Sequence, residues 1–197
     1  MLNKINSKED QGESAVKMTR IQIRQQLDCL AIQFNVTIIT SALELENFHT
    51  LEKVEQAGYV SLSSLNGRWV TRIDAQVSAI IKLAKEDGVP IPVIFADIEK
   101  WGHRKKDRPG ITACLVAAKQ RGLATLYLAS FTRILWGPKG YSGILNELIS
   151  NGLRIRALYI PFDSSTDDGK VIVSLLNEFG ESSEYFFRSK KKHLRPG

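Results

Sequence analysis

The sequence predicts an α/β domain, a mainly parallel sheet flanked by helices, that ends in a long C-terminal helix. Three observations point there. From Gly58 onward, short apolar or β-branched runs alternate with stretches of helical periodicity, the grammar of strand–helix–strand units. One of the runs, Ile91 to Ala96, is almost continuously apolar, as expected of a strand covered on both faces. The helical stretches close on Gly88, Gly122 and Asn151-Gly152, residues that accept the left-handed turn ending a helix.

Taken in order, Met1 to Glu13 is polar and carries no core pattern. Helical periodicity begins near Ala15, with Ile21, Leu27, Leu30, Ala31 and Phe34 close to one stripe. Val36 to Ile39 reads as a short strand, and Thr50 to Ala57 as a short helix. These residues, 1–57, are assigned to an N-terminal extension without a chemical signature, and 58–197 to the principal domain. Tyr59 to Leu62 is its first strand. Thr71-Arg72-Ile73-Asp74 fits a capping box at a helix start, and Ile73, Val77, Ile80, Ile81 and Ala84 mark the buried face. The Thr-Arg-Ile triplet also occurs at Thr19-Arg20-Ile21, which is compatible with partial duplication of a helix–strand unit. Pro109 suits the first turn of the next helix, where its missing N–H has no intrahelical partner to lose. Lys119 and Arg121 then lie at that helix's negative end. Thr125 to Ala129 is a strand, Gly143 to Ser150 a helix, and Leu153 to Ile160 a strand. A last helix extends from about Asp168 to Leu194.

Composition narrows the chemistry. With 43% hydrophobic and 24% charged residues, the 197-residue chain is of ordinary globular type. No apolar run reaches the roughly 18 residues of a membrane span, and the polar start resembles neither signal peptide nor anchor. A cytoplasmic protein that does not enter the membrane is the expectation. Cys29 and Cys114 sit within apolar helical patterns and read as buried free thiols. His103 and His193 are isolated, so no metal site is expected, and no glycine-rich phosphate loop indicates a cofactor. The net charge of +6 is concentrated at the C-terminal end, where Arg188, Lys190, Lys191, Lys192 and Arg195 stand without an acid from Tyr185 to Gly197. Such a cluster suits a polyanion, or a solvated tail.

Alternation of strands and helices is shared by many folds and does not specify function. The local words are more informative. Gly58-Tyr-Val-Ser-Leu-Ser63 is followed by Gln76 in the next helical stretch. Asp97 leads to Asp107-Arg108-Pro109-Gly110, Leu128 to Trp136 centres on Arg133, and Pro161-Phe-Asp-Ser-Ser-Thr166 with Gly169 precedes the long helix. In that order the set, from Gly58 to Leu194, resembles the catalytic domain of the serine recombinases, the resolvase/invertase class.

The resemblance implies phosphoryl transfer to a serine, which stores the broken phosphodiester as a phosphoserine link and so divides one displacement into two. Without a metal, guanidinium groups must neutralise the phosphate in the transition state. It places the nucleophile at Ser63 and the arginines at Arg108 and Arg133. It also implies contact between the terminal basic cluster and duplex DNA, and a homodimer, or a heterodimer with an active recombinase, through the long helix. The residues alone admit plainer readings: Ser63 as a polar strand end, Arg108 paired with Asp107 or capping a helix, Arg133 on the surface, and Trp136 as packing.

Departures from the family pattern point to a catalytically weak or inactive member. Ser61 stands where the family carries an arginine two residues before the nucleophile. Thr132 replaces the aspartate before the central arginine, Trp136 replaces a later arginine, and Ser183-Glu184 occupies a Glu-Arg pair. Each lost clamp arginine costs about 3–4 kcal/mol by analogy with an oxyanion donor, and two would slow cleavage roughly ten-thousandfold or more. An active recombinase or transposase subunit, and an interaction module that modulates an active recombinase, are the alternatives.

Overall fold

The computed structural model describes residues 19–48, 53–62, 69–98, 108–135 and 143–179. Its centre is a sheet in the order β1-β3-β2-β4-β5-β6, formed by Thr37–Ile39, Gln56–Leu62, Val93–Ile98, Thr125–Leu128, Arg154–Ala157 and Phe162–Asp163, numbered β1 to β6 along the chain. The first five strands are parallel, and β6 pairs antiparallel with β5. Helices α1 (Arg20–Phe34) and α3 (Trp69–Glu86) cover one face; α2 (Ala42–Asn47), α4 (Pro109–Gln120) and α5 (Gly143–Ser150) cover the other. Residues 167–179 are helical, and the remainder of the expected long helix lies outside the described residues. The predicted α/β class with a mainly parallel sheet is the observed one.

Each face has its own core. Leu27, Leu30, Val60, Ile73, Val77, Ile80 and Ile94 pack together on the α1/α3 side. Tyr59, Phe95, Ile111, Leu115, Leu128, Leu145 and Ile155 do so on the other, where Ile172, Val173 and Leu176 of the C-terminal helix join them. Two close approaches set the layer spacing. A Cβ on Gly58 would fall 2.4 Å from Ile94 Cδ1 and 2.8 Å from Ile80 Cγ2, so α3 crosses β2 where there is no side chain. A Cβ on Gly110 would lie 2.7 Å from the Ala96 carbonyl oxygen, which brings the start of α4 against the backbone of β3. As expected, Gly88, Gly122 and Gly152 close α3, α4 and α5 with φ of +72°, +71° and +86°, and Pro109 opens α4.

Several sequence expectations need correction. No helix runs through the described part of Thr50–Ala57: residues 53 and 54 are irregular and β2 begins at Gln56. The short helix is α2, upstream, because Ser41 Oγ accepts the Glu44 amide (3.2 Å) while the Glu44 carboxylate accepts from Thr40 N and Oγ1 (2.7 Å each). Arg121 completes α2 by donating to the Leu45 and Phe48 carbonyls at its far end. Thr71 lies inside α3, which already includes Trp69. The capping box belongs instead to the other Thr-Arg-Ile triplet, where Thr19 and Gln22 bond reciprocally. Cys114 is buried, but Cys29 is exposed, and Ile21 at 71% exposure is off the buried stripe of α1. The stretch expected as one strand to Ile160 ends at Ala157, turns, and returns as β6.

Residues 19–48 are part of this architecture. β1 pairs in parallel with β3, α1 packs on α3 and α2 on α4. The sequence boundary at residues 57 and 58 falls within β2.

The C-terminal helix is moored through Asp163. Its carboxylate accepts from Arg154 (3.0 and 2.5 Å), Arg156 (3.2 Å) and Ser165 N and Oγ (3.0 and 2.7 Å). Its carbonyl accepts from Thr166 Oγ1 (2.8 Å), which in turn accepts the Gly169 amide (3.1 Å) and so caps the helix. Arg156 also pairs with Asp87 at the end of α3, and Tyr127 donates to the same carboxylate (2.9 Å). The bond from Arg154 is the largest of the influences that hold the Asp163 carboxyl well below the usual carboxylate range.

Candidate active site

In open α/β sheets, ligands bind beyond the carboxyl ends of the strands. There β2 ends at Leu62, directly before Ser63; β3 ends at Ile98; and β4 leads through Ala129 and Ser130 into a 3₁₀ turn at Phe131–Arg133. Asp97 stands opposite Ser61 in the β2–β3 register. Four segments therefore meet at this edge: the two strand ends, the turn after β4, and the N-terminus of α4.

Arg108, immediately before α4, is the knot between them. It is only 4% exposed. Its Nη2 donates to Tyr59 Oη (2.5 Å) and to the carbonyl oxygen of Arg133 (2.6 Å), while Nε is 3.8 Å from Asp97 Oδ2. The guanidinium carbon also lies 5.5 Å from the Tyr59 ring centroid, a cation–π distance. Tyr59 Oη donates to Asp97 Oδ2 at 2.9 Å. Asp97 further accepts the amides of Gly110 (2.7 Å) and Ile111 (3.2 Å), so one carboxylate caps α4 and faces the arginine. Arg108 Nη1 is buried without a hydrogen-bond partner, a state that typically costs ~1–3 kcal/mol.

Burial dominates the electrostatics of this cluster. It raises the Asp97 carboxyl above its ordinary range, against the lowering influence of the Gly110 amide, Tyr59 and Arg108. Burial, then the neighbouring Asp97 charge, pushes the Tyr59 phenol well up, so Tyr59 stays a neutral donor. The cluster is thus suited to hold segments in place. Apart from Arg108 Nη1, its side-chain donors and acceptors are turned on one another or on backbone groups, and the tyrosine is wholly buried.

A second device acts on β2. β4 accompanies β2 only to Tyr59, and beyond it the buried Gln76 of α3 supplies the missing partner. Its Oε1 accepts the Ser61 amide and its Nε2 donates to the Ser61 carbonyl, both at 3.2 Å, with another bond to the Arg72 carbonyl (3.2 Å). Ser61 is thereby held by its backbone, two residues before Ser63.

Of the residues singled out from sequence, Arg108 and Arg133 are brought together, through the backbone carbonyl of Arg133. The Arg133 side chain is partly exposed, and Thr132, exposed, shares a 2.9 Å hydroxyl contact with Ser130. Ser63, Asp107 and Trp136 lie outside the described residues, as do Arg188, Lys190, Lys191, Lys192 and Arg195. Sequence reasoning did not assign a role to Tyr59 or Asp97. The available signal was an acid at the end of an otherwise apolar strand, which demands a buried partner. Among the described residues, no group of His, Cys, Asp or Glu is arranged to hold a metal ion, and no helix is long and apolar enough to cross a membrane.

The sequence model of the family described as "Resolvase, N terminal domain" matches residues 56–195. Among solved structures, the chain is similar to the N-terminal catalytic domain of TP901-1 integrase, with a TM-score of 0.57 and 17% identity over 66% of this chain and 97% of that one. It is also similar to a resolvase family site-specific recombinase from Streptococcus pneumoniae, with a TM-score of 0.56 and 17% identity over 72% of this chain and 95% of that one. At such identity the likeness is one of fold. No curated protein matches the chain. The family match begins at β2, so α1, β1 and α2 lie outside it.

Proposed function

Because the chain belongs to the resolvase N-terminal domain family, we propose that it acts on double-stranded DNA as a serine-recombinase-like protein of site-specific recombination, with a cleavage step that is weak or absent. The observation that carries this reading is the junction of Arg108 with the Arg133 turn at the carboxyl edge of the sheet, where β2 ends one residue before Ser63. Ser63 is the nucleophile position, Arg133 the arginine facing the scissile phosphate, and Arg108 the buried charge behind them.

The weakness follows from the missing cations. Ser61 offers a hydroxyl where a guanidinium is needed, and Thr132 and Trp136 leave Arg133 without its acidic neighbour and second fork. Transition-state charge that fixed donors do not meet must be carried by the phosphate itself. DNA contact falls to Arg188, Lys190, Lys191, Lys192 and Arg195, whose binding to phosphates is sequence-independent and weakens with salt. Pairing falls to the C-terminal helix. There Val171, Leu175 and Phe179, spaced by four, are 57%, 47% and 68% exposed, along the flank of the stripe that joins the core.

The test is covalent capture on a nicked or mismatched duplex, with Ser63→Ala as the control. The expected result is DNA bound by both proteins and almost no protein–DNA adduct from either. A robust adduct that disappears in Ser63→Ala would overturn the inactive reading and establish a working recombinase.

A further inference from the structure

We infer that Arg108 and Tyr59 are positioning residues: a buried strut that fixes the Arg133 turn against the end of β2, with Arg108 held away from the DNA. The inference rests on the reading of Ser63 and Arg133 given above.

Access is the first argument. A duplex presents its phosphates on a broad, stiff surface, whereas Arg108 is 4% exposed and its Nη1 is buried. No phosphate oxygen reaches that atom while the cluster is closed. Commitment is the second. Nη2 is shared between Tyr59 Oη and the Arg133 carbonyl, and the Nε edge faces Asp97. A guanidinium used in this way has no bidentate edge to offer a phosphate.

Connectivity is the third argument. Through Tyr59 the strut grips β2 three residues before its end, and through Asp97 it grips β3 and the first amides of α4. Through the Arg133 carbonyl it grips the turn whose own bonds are short-range: Arg133 N to Ser130 O (3.1 Å), Ile134 N to Phe131 O (3.1 Å) and Leu135 N to Thr132 O (3.3 Å). Ile134 and Phe131 pack this turn on the core, but these backbone bonds tie it only to itself. Among the described residues, the Arg133 carbonyl is where a side chain of another segment holds it by a hydrogen bond. β2 is the strand that leads into Ser63 and the turn carries Arg133, and β4 parts from β2 at Tyr59, just before both. The strut spans that gap.

The test uses the full-length protein and needs no turnover. Amide exchange is followed at Arg133, Ile134 and Leu135 in the parent, in Tyr59→Phe and in Arg108→Lys. Tyr59→Phe keeps the ring and removes only the hydroxyl. Exchange at the three turn amides is expected to rise at least tenfold, while the Arg154 and Tyr159 amides, bonded to Ala124 and Ala129, change less than threefold. Arg108→Lys keeps the charge but cannot reach Tyr59 and the Arg133 carbonyl together, and is expected to leave the turn as open as in Tyr59→Phe. Turn protection unchanged in Tyr59→Phe, loss spread evenly over all amides, or full protection in Arg108→Lys would each overturn the strut. A second arm records the arginine Nε–H signals while a short duplex of arbitrary sequence is added. Movement of Arg133 with Arg108 unmoved supports the inference, and an equal movement of Arg108 overturns it. If the turn opens in Tyr59→Phe but duplex moves neither arginine, the strut stands and the DNA reading of the site fails.

Discussion

Gly110→Ala tests the packing on which the candidate site is built. The added Cβ would sit 2.7 Å from the oxygen, 2.8 Å from the carbonyl carbon and 3.1 Å from the nitrogen of Ala96. All three are backbone atoms of the sheet, so no side chain can swing aside, and α4 must retreat. That retreat pulls the Gly110 and Ile111 amides from Asp97, now bonded at 2.7 and 3.2 Å. It also loosens Ile111, Cys114 and Leu115, which are buried under the same helix. Overpacking of a filled core costs ~1–3 kcal/mol and a weakened cap about 1 kcal/mol. The better helix propensity of alanine returns at most ~1 kcal/mol. The net loss is roughly 1–3 kcal/mol, or about 2–12 °C in Tm at the usual conversion for a chain of this size. Gly143→Ala is the internal control: it also places alanine at the start of a helix, with nothing within 4 Å of its Cβ. Thermal unfolding by circular dichroism should separate the two, with Gly143→Ala unchanged or slightly stabilised. Equal melting of Gly110→Ala and the parent, or equal losses in both variants, would refute the reasoning.

Three other outcomes are expected. Asp163→Asn should cost about 2 kcal/mol at neutral pH, below the usual figure for breaking a buried pair because Arg154 is 41% exposed. Since the Asp163 carboxyl is depressed in the folded state, its contribution is complete above about pH 4 and is lost as pH falls further. Denaturant titrations should therefore show the gap between variant and parent narrowing from about pH 4 to about pH 2, and a gap constant with pH would contradict the assignment. Of the two thiols, exposed Cys29 should react with an aromatic disulfide reagent in the native protein, whereas Cys114, buried and with its pKa raised by burial, should react only on unfolding. Two fast thiols without denaturant would count against the placement of α4. Leu175→Glu should leave Tm within about 2 °C, since the side chain is 47% exposed, yet shift sedimentation from dimer to monomer. An unchanged sedimentation coefficient would remove the C-terminal helix from the interface.

What could be read from sequence was whatever burial and local chemistry impose. The strands at β2 to β5 and the face of α3 followed from apolar patterning, since Ile73, Val77, Ile80 and Ala84 are buried. Pro109 and the three glycines marked ends because their backbone preferences are local. Missed features depend on partners distant in the chain. α2 is six residues long and leans on Arg121, more than seventy positions away. The capping box fitted both Thr-Arg-Ile triplets, and only the upstream extent of each helix separates them. For the candidate site, order and identity of the words singled out Arg108 and Arg133, which the structure joins. That the two meet through a main-chain carbonyl, with Tyr59 between β2 and Asp97, lies in hydroxyl and carbonyl geometry that no residue pattern encodes.

The edge strand β1 has a consequence for how the chain comes together. Its three residues pair with Val93, Ile94 and Phe95, so residues 37–39 have no sheet to join until more than fifty further residues have been added. A strand that short is not stable alone, and closing so wide a loop slows folding. During synthesis, which runs from the N-terminus, α1, β1 and α2 thus emerge before β3 and are secured only after β3 has formed and α4 has delivered Arg121. Until then Ile38 and Ile39, wholly buried in the finished molecule, are apolar surface on a nascent chain. Apolar surface and an unpaired strand edge, both present in that interval, are what promote mispairing.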